Sequence, residues 1–200
     1  MLAGLIAWPL EHGPEVLGRL RELAADAPDE LGVMATLRLA PPLPMIPEEL
    51  HGRPIIALVS CYAGPIDDGI ALLRDIRQFR NPSLDAVAPK AYVAHQKMFD
   101  PALPHGDHYY WKSHKLPALS DEMIGVITEH AARVTSPLTT VPIFTQGGAV
   151  ARVPEGATAY AHRGAAHDIN IVAAWRPDDE DRRCLRPDEL LPSQRQHAAE

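Results

Sequence analysis

The stretch Pro54-Ile55-Ile56-Ala57-Leu58-Val59-Ser60-Cys61-Tyr62-Ala63-Gly64-Pro65 decides the fold. Its first nine residues are apolar and rich in branched side chains, as a strand requires. Gly64-Pro65 then opens a helix, because proline at an early helical position gives up an N–H that would be unpaired anyway. Ile70, Leu72, Leu73 and Ile76 follow as the expected core face of that helix. The same grammar stands earlier in the chain. Leu2 to Trp8 reads as a strand ended by Pro9, and Gly13-Pro14 opens a helix with Val16, Leu17, Leu20 and Leu23 at helical spacing. Pro28 stops it. Leu31 to Leu39 is the next strand, with Leu31, Val33, Ala35, Leu37 and Leu39 on one face, and Pro41-Pro42-Leu43-Pro44 is a stiff surface connection. Strand–helix–strand followed by strand–helix is the start of a ferredoxin-like duplication.

Working outward, Tyr92 to Phe99 reads as a short helical segment and His108 to Lys115 as an aromatic extended one. Ser120-Asp121-Glu122 supplies the hydroxyl and acids of a helix start, with Met123, Ile124, Ile127 and Ala131 as its apolar face. Thr139 to Thr145 and Asp168 to Trp175 are strands, separated by a break at Gly147-Gly148. The expected class is α+β: a mostly antiparallel sheet with helices packed on one face. Residues 1–176 form the domain. From 177 to 200 the composition turns to Asp, Glu, Arg, Pro and Gln, the signature of a solvated or disordered tail.

Composition excludes several classes. The 200 residues are 46% hydrophobic and 22% charged, which fits one globular domain able to bury a core without staples. The formal charge is −7, and Lys and Arg never cluster beyond pairs such as Arg182-Arg183, so no basic face for nucleic acid is expected. Two cysteines, Cys61 and Cys184, are too few for a disulfide scaffold and lack metal spacing. No apolar run reaches the ~18 residues of a spanning helix, and Met1 to Leu10 lacks the basic start and cleavage site of a signal peptide. A soluble, cytoplasmic protein is expected.

Candidate chemistry is sparse. His105, Asp107, His108 and His114 are the densest group of possible metal ligands, but they match no named metal motif and read better as surface histidines. Gly147-Gly148 lacks the Lys-Ser or Lys-Thr of a phosphate loop and marks either a bulge or room for a flat ligand. Ser60-Cys61 has no nucleophile elbow around it. Asp67-Asp68, Asp121-Glu122 and Asp178-Asp179-Glu180 suit helix starts or solvent. In Tyr109-Tyr110-Trp111-Lys112-Ser113, alternation puts Tyr110 and Lys112 on one face and Tyr109, Trp111 and Ser113 on the other. Trp111 suits the core, which leaves Tyr110 and Lys112 to face a polar substrate or solvent.

The order of these pieces resembles the FAD-linked oxidases related to berberine bridge enzyme. The resemblance rests on Tyr109-Tyr110-Trp111-Lys112-Ser113, Leu119-Ser120-Asp121, Gly147-Gly148-Ala149 and Thr158-Ala159-Tyr160-Ala161-His162-Arg163. Ala27-Pro28-Asp29-Glu30-Leu31, Tyr92, Gln96, Asp100 and Gly106 add to it, so that it runs over roughly residues 3–178. It implies the substrate-binding domain of such an enzyme, whose open sheet face roofs the isoalloxazine ring. A separate N-terminal domain of the p-cresol-methylhydroxylase type holds FAD in that family. The implied reaction is oxidation of an alcohol, amine or similar carbon by hydride transfer to flavin, with the protein supplying position and a base.

The family's flavin domain and its closing Tyr-x-Asn segment find no counterpart here, as expected of a truncated or frameshifted gene product that binds FAD weakly and is inactive alone. The resemblance makes Tyr110, Lys112, Phe144, Gln146 and Asn170 the substrate-binding or flavin-facing candidates. It makes Gly147, Gly148, Thr158, His162 and Arg163 structural. The family often places an acidic or amide side chain on the strand before the Gly-Gly dyad, and Val141 to Gln146 offers no acid, so the base is unassigned. The implied partners are a small-molecule substrate and an FAD-binding domain. Two rival readings are a stand-alone binding module on the same fold and a metal-dependent hydrolase built on His105, Asp107 and His108.

Overall fold

The computed structural model describes residues 1–44 and 46–177. The expected tail from residue 178 onward, Cys184 included, lies outside the described residues. Strands β1 (Leu2–Pro9), β2 (Leu31–Leu39) and β3 (Pro54–Tyr62) alternate with helix α1 (Gly13–Ala25) and the paired helices α2 (Ile66–Leu72) and α3 (Arg74–Gln78). Two-residue strands β4 (Leu84–Asp85) and β5 (Ala88–Pro89), helix α4 (Tyr92–Gln96) and a 3-10 turn over Lys97–Ala102 follow. The remainder is β6 (His108–Leu116), α5 (Asp121–Ala131), β7 (Thr140–Thr145), α6 (Gly148–Arg152) and β8 (His167–Trp175).

The sheet order is β4-β1-β3-β2-β7-β8-β6, with β5 also on β1. Its first four strands are in the ferredoxin-like order, α1 crossing from β1 to β2 and the α2–α3 pair from β3 to β4. Every paired strand is antiparallel. The 90–107 connection runs from one edge of the sheet, at β5, to the other, at β6.

Alternation builds the core. Leu31, Val33, Ala35 and Leu37 of β2, Ile56 and Leu58 of β3, and Val141 and Ile143 of β7 join the Val16–Leu17–Leu20 stripe of α1 and Ile124 and Ile127 of α5 in one cluster. Ser120 caps α5, its Oγ accepting from Met123 N–H at 3.2 Å, and Arg21 of α1 donates to Leu119 O and the Asp121 carboxylate, tying the two helices together. Gly4 is required by contact: at φ +157° its Cβ would stand 2.2 Å from Ala86 O, where the β4–β5 joint crosses β1.

Two expectations of packing are corrected. The segment after Gly64-Pro65 is two short helices that break at Leu73, so Leu73 and Ile76 are buried while Ile70 turns outward, 41% exposed. Trp111, expected in the core, is 53% exposed. The reason is position: among the described residues β6 is the sheet edge, pairing only with β8, and of its nine residues only Leu116 is buried. Alternation tells which side chains share a face and leaves open which face is inside.

Candidate functional site

Register divides the sheet's two faces residue by residue. Phe144 of β7 stands opposite Asp168 of β8, and Asn170, two residues on, stands opposite Ser113 of β6. Phe144, Asp168, Asn170, Tyr109, Trp111, Ser113 and Lys115 therefore share the face away from the core helices. Tyr110 and Lys112 pair with Ala173 and Ile171 and lie on the opposite, helix-side face, with Lys112 Nζ 5.7 Å from the Tyr110 ring centroid. Of the five residues taken as flavin-facing, the structure brings together Phe144, Gln146 and Asn170, and it separates Tyr110 and Lys112 from them.

The open face carries a connected polar network at the β6–β8 end. Lys115 Nζ donates to Asp168 Oδ2 at 2.7 Å and to Tyr160 Oη at 3.2 Å. Tyr160 Oη in turn donates to Gln146 Oε1 at 2.8 Å. Burial works to lower the Lys115 pKa, but the hydrogen bonds to Asp168 and Tyr160 and the Asp168 charge outweigh it, and the net direction is upward. The ion pair is half-covered, its side chains 26% and 17% exposed. Asp168 Oδ1 is buried without a partner among the described residues. Beside this network, Trp111 Nε1 donates to Asn170 Oδ1 at 2.7 Å, Tyr109 Oη donates to Pro104 O at 2.8 Å, and Phe144 is 38% exposed.

A groove of about 580 Å³ adjoins the network at the sheet end, lined by Ala24, Pro28, Gly32, Gln146, Gly148 and Tyr160 among others. Gly148 fits there for two reasons: φ is +51°, and an added Cβ would lie 2.8 Å from Asp29 Oδ1. Asp29 is also held by Arg152 of α6, whose guanidinium keeps its carboxyl below the ordinary range. Gly147 is extended, with open space where a Cβ would stand. Arg163 spans the loop, donating to Val150 O at 3.1 Å and to Thr158 Oγ1 at 2.6 Å, with its guanidinium 5.3 Å from the Tyr160 ring centroid. The His162 carbonyl accepts from Ala165 N–H.

The His105–Asp107–His108 loop gathers no site. Among the described residues no group of three or more His, Cys, Asp or Glu could hold a metal ion, and the His108 ring instead lies 5.7 Å from that of Trp175. Among them, too, no helix is long and apolar enough to cross a membrane.

No family profile matches the chain. A curated relative, an FAD-linked oxidoreductase of Dictyostelium discoideum, is 25% identical over 187 residues, covering 92% of this chain and 38% of the relative. Among solved structures, berberine-bridge-enzyme-like protein 28 of Arabidopsis thaliana superposes with a TM-score of 0.65 at 16% identity, over 87% of this chain and 37% of that one. The chain has the fold of a partial berberine-bridge-enzyme-like domain. The same domain superposes on 6-hydroxy-D-nicotine oxidase of Arthrobacter nicotinovorans with a TM-score of 0.64 at 15% identity, over 90% of this chain and 39% of that one. The curated relative is FAD-linked, and this chain spans well under half the length of the relatives it matches.

Residue type alone marks neither Lys115 nor Asp168 as part of this network. Alternation from Asn170 would have reached Asp168, and alternation from Ser113 would have reached Lys115. Tyr160 stands in the Thr158–Arg163 stretch that carries the resemblance, but its irregular loop gives no alternation from which to place its side chain.

Proposed function

We propose that residues 1–176 are the substrate-facing domain of an FAD-dependent oxidoreductase that oxidises an alcohol, amine or similar carbon by hydride transfer to flavin. The observation that carries this reading is the asymmetry of the sheet: helices cover one face, and the other presents Phe144, Trp111, Asn170 and the Lys115–Asp168–Tyr160–Gln146 network.

The flat ring of FAD fits what this face offers, since the Phe144 and Trp111 side chains are exposed on it and aromatic surfaces favour offset stacking. The diphosphate does not fit the described residues. The one helix opening at the glycine dyad, α6, has five residues, and the Asp29 carboxylate stands against its first one, where negative charge repels phosphate. Phosphate recognition accordingly belongs to an FAD-binding domain outside these residues, with a small-molecule substrate as the second partner. Bound against this face, oxidised flavin supplies the two-electron acceptor. The chain's own residues orient the substrate: Gln146 and Asn170 offer amide groups, Phe144 a flat apolar surface, and the Lys115–Asp168 pair fixed charge. A reduced, cytoplasmic setting agrees with the free thiol of Cys61, which burial pushes up in pKa and makes less reactive.

Sequencing the transcript through both ends of this reading frame tests the assignment. A flavin-domain frame upstream and a Tyr-x-Asn segment downstream, in any phase, are expected. Flanks lacking both would favour a stand-alone binding module on the same fold.

A further inference from the structure

The two edges of the sheet differ. One is made of the two-residue strands β4 and β5, the short kind that offers little for another strand to pair with. The other is β6, nine residues long, which among the described residues pairs only with β8. Its outer side is a template for a further strand, and it carries three exposed aromatic residues in a row, Tyr109, Tyr110 and Trp111. We propose that this edge is a self-association surface: two copies of the chain join with β6 antiparallel to β6, about a two-fold axis at Trp111.

Charge selects that register. In an antiparallel ladder, directly opposed side chains share a face and neighbours along a strand alternate, so a symmetric pair of β6 strands is centred on a residue. Centred on Lys112, the pairing overlaps the whole strand but sets Lys112 against its own copy, and like charges directly opposite are destabilising. Centred on Trp111, Lys112 of each copy meets Tyr110 of the other, and Lys115 meets Asp107, the residue just before the strand. Opposite charges and a cation against an aromatic ring are both favourable, and symmetry supplies each contact twice. Lys112 Nζ already lies beside the Tyr110 ring of its own strand, at 5.7 Å. Lys115 uses two of its three N–H donors on Asp168 and Tyr160, which leaves one for a second carboxylate. Centred on Ser113, the pairing is as long as at Trp111, but Asp107 falls outside it.

A two-fold axis perpendicular to the sheet keeps like faces together. The open faces of the two copies then lie on one side and the helices of both on the other. At the axis, Trp111 stands against Trp111 with Cβ atoms about 5 Å apart, close enough for aromatic contact to add to the ladder. Lys112 thus excludes one register and supports another, which makes the edge selective for its own copy.

Sedimentation velocity of the full chain over a wide concentration range tests the proposal, and a reversible monomer–dimer equilibrium is expected. Trp111→Lys places two ammonium groups at the axis, and Asp107→Lys sets an ammonium group opposite each Lys115. Each should weaken association about tenfold or more. Trp111 is exposed and Asp107 precedes the strand, so both variants should keep the far-ultraviolet circular dichroism of the native chain. Mild oxidation of Trp111→Cys should link two copies through position 111, located by peptide mapping, whereas Ser113→Cys should give no self-link, because only the residue at the axis faces its own copy within disulfide reach. A chain that stays monomeric at every concentration, or a dimer that both lysine variants leave intact, overturns the proposal. A self-link at position 113 in place of 111 overturns the axis.

Discussion

The indole N–H of Trp111 donates to Oδ1 of Asn170 across the β6–β8 ladder at 2.7 Å. It joins an exposed aromatic surface to a nearly buried amide, 8% exposed, and so fixes the orientation of the largest side chain on the open face. Asn170→Leu removes the acceptor. The expected loss is about 1 kcal/mol of stability, the ordinary net worth of one hydrogen bond, together with loss of near-ultraviolet circular dichroism from a freed Trp111. Urea unfolding and the dichroism spectrum check both.

Neighbouring residues of β7 separate core from face. Ile143 is fully buried and Phe144 is 38% exposed. Ile143→Ala should cost about 2–5 kcal/mol through lost burial and the cavity left behind, whereas Phe144→Ser should change stability by about 0.5 kcal/mol or less while reducing riboflavin binding. Denaturant midpoints of the two variants give the comparison.

How far the sequence reveals the fold depends on which forces act locally. β2 and β3 are found with the bounds the pattern predicts, Leu31–Leu39 and Pro54–Tyr62, because proline and glycine punctuation and alternating burial are encoded in adjacent residues. The orientation of β6 is not so encoded. Tyr109 to Ser113 could turn either face inward, and the choice is made by the register of β6 on β8. The site shows the same division. Phe144 and Asn170 were reachable from resemblance, but the contact of Lys115 with Asp168 joins residues 53 positions apart, a pairing that only the assembled sheet defines.

Gly148 combines positive φ with close approach to Asp29. Gly148→Ala should destabilise the chain by about 1 kcal/mol or more, the usual result when a side chain is forced into a left-handed conformation. Gly147→Ala, with open space for its methyl, should cost less. Thermal unfolding of the pair decides whether the dyad's requirement lies at its second position.

His167 is 4% exposed, with Nδ1 unpartnered among the described residues. Burial holds its imidazole pKa below the ordinary value, so the folded chain binds a proton there less readily than the unfolded chain. Stability is therefore full above the ordinary imidazole pKa and is lost as pH falls through that value toward the lowered one. Between about pH 7 and about pH 5, the Tm of the native chain should fall more steeply than that of His167→Gln. His95, lowered by burial and then by Lys90, is present in both proteins, so the difference belongs to His167.

The most direct measurement is an NMR titration of the full chain with riboflavin and, separately, with FAD. Signals of Trp111, Phe144 and Asn170 should shift, those of α1 and α5 should not, and the two ligands should bind with similar, weak affinity because only the ring is recognised. Shifts confined to the helices, or FAD bound far more tightly than riboflavin, would contradict a face that receives the ring and leaves the phosphates to another domain.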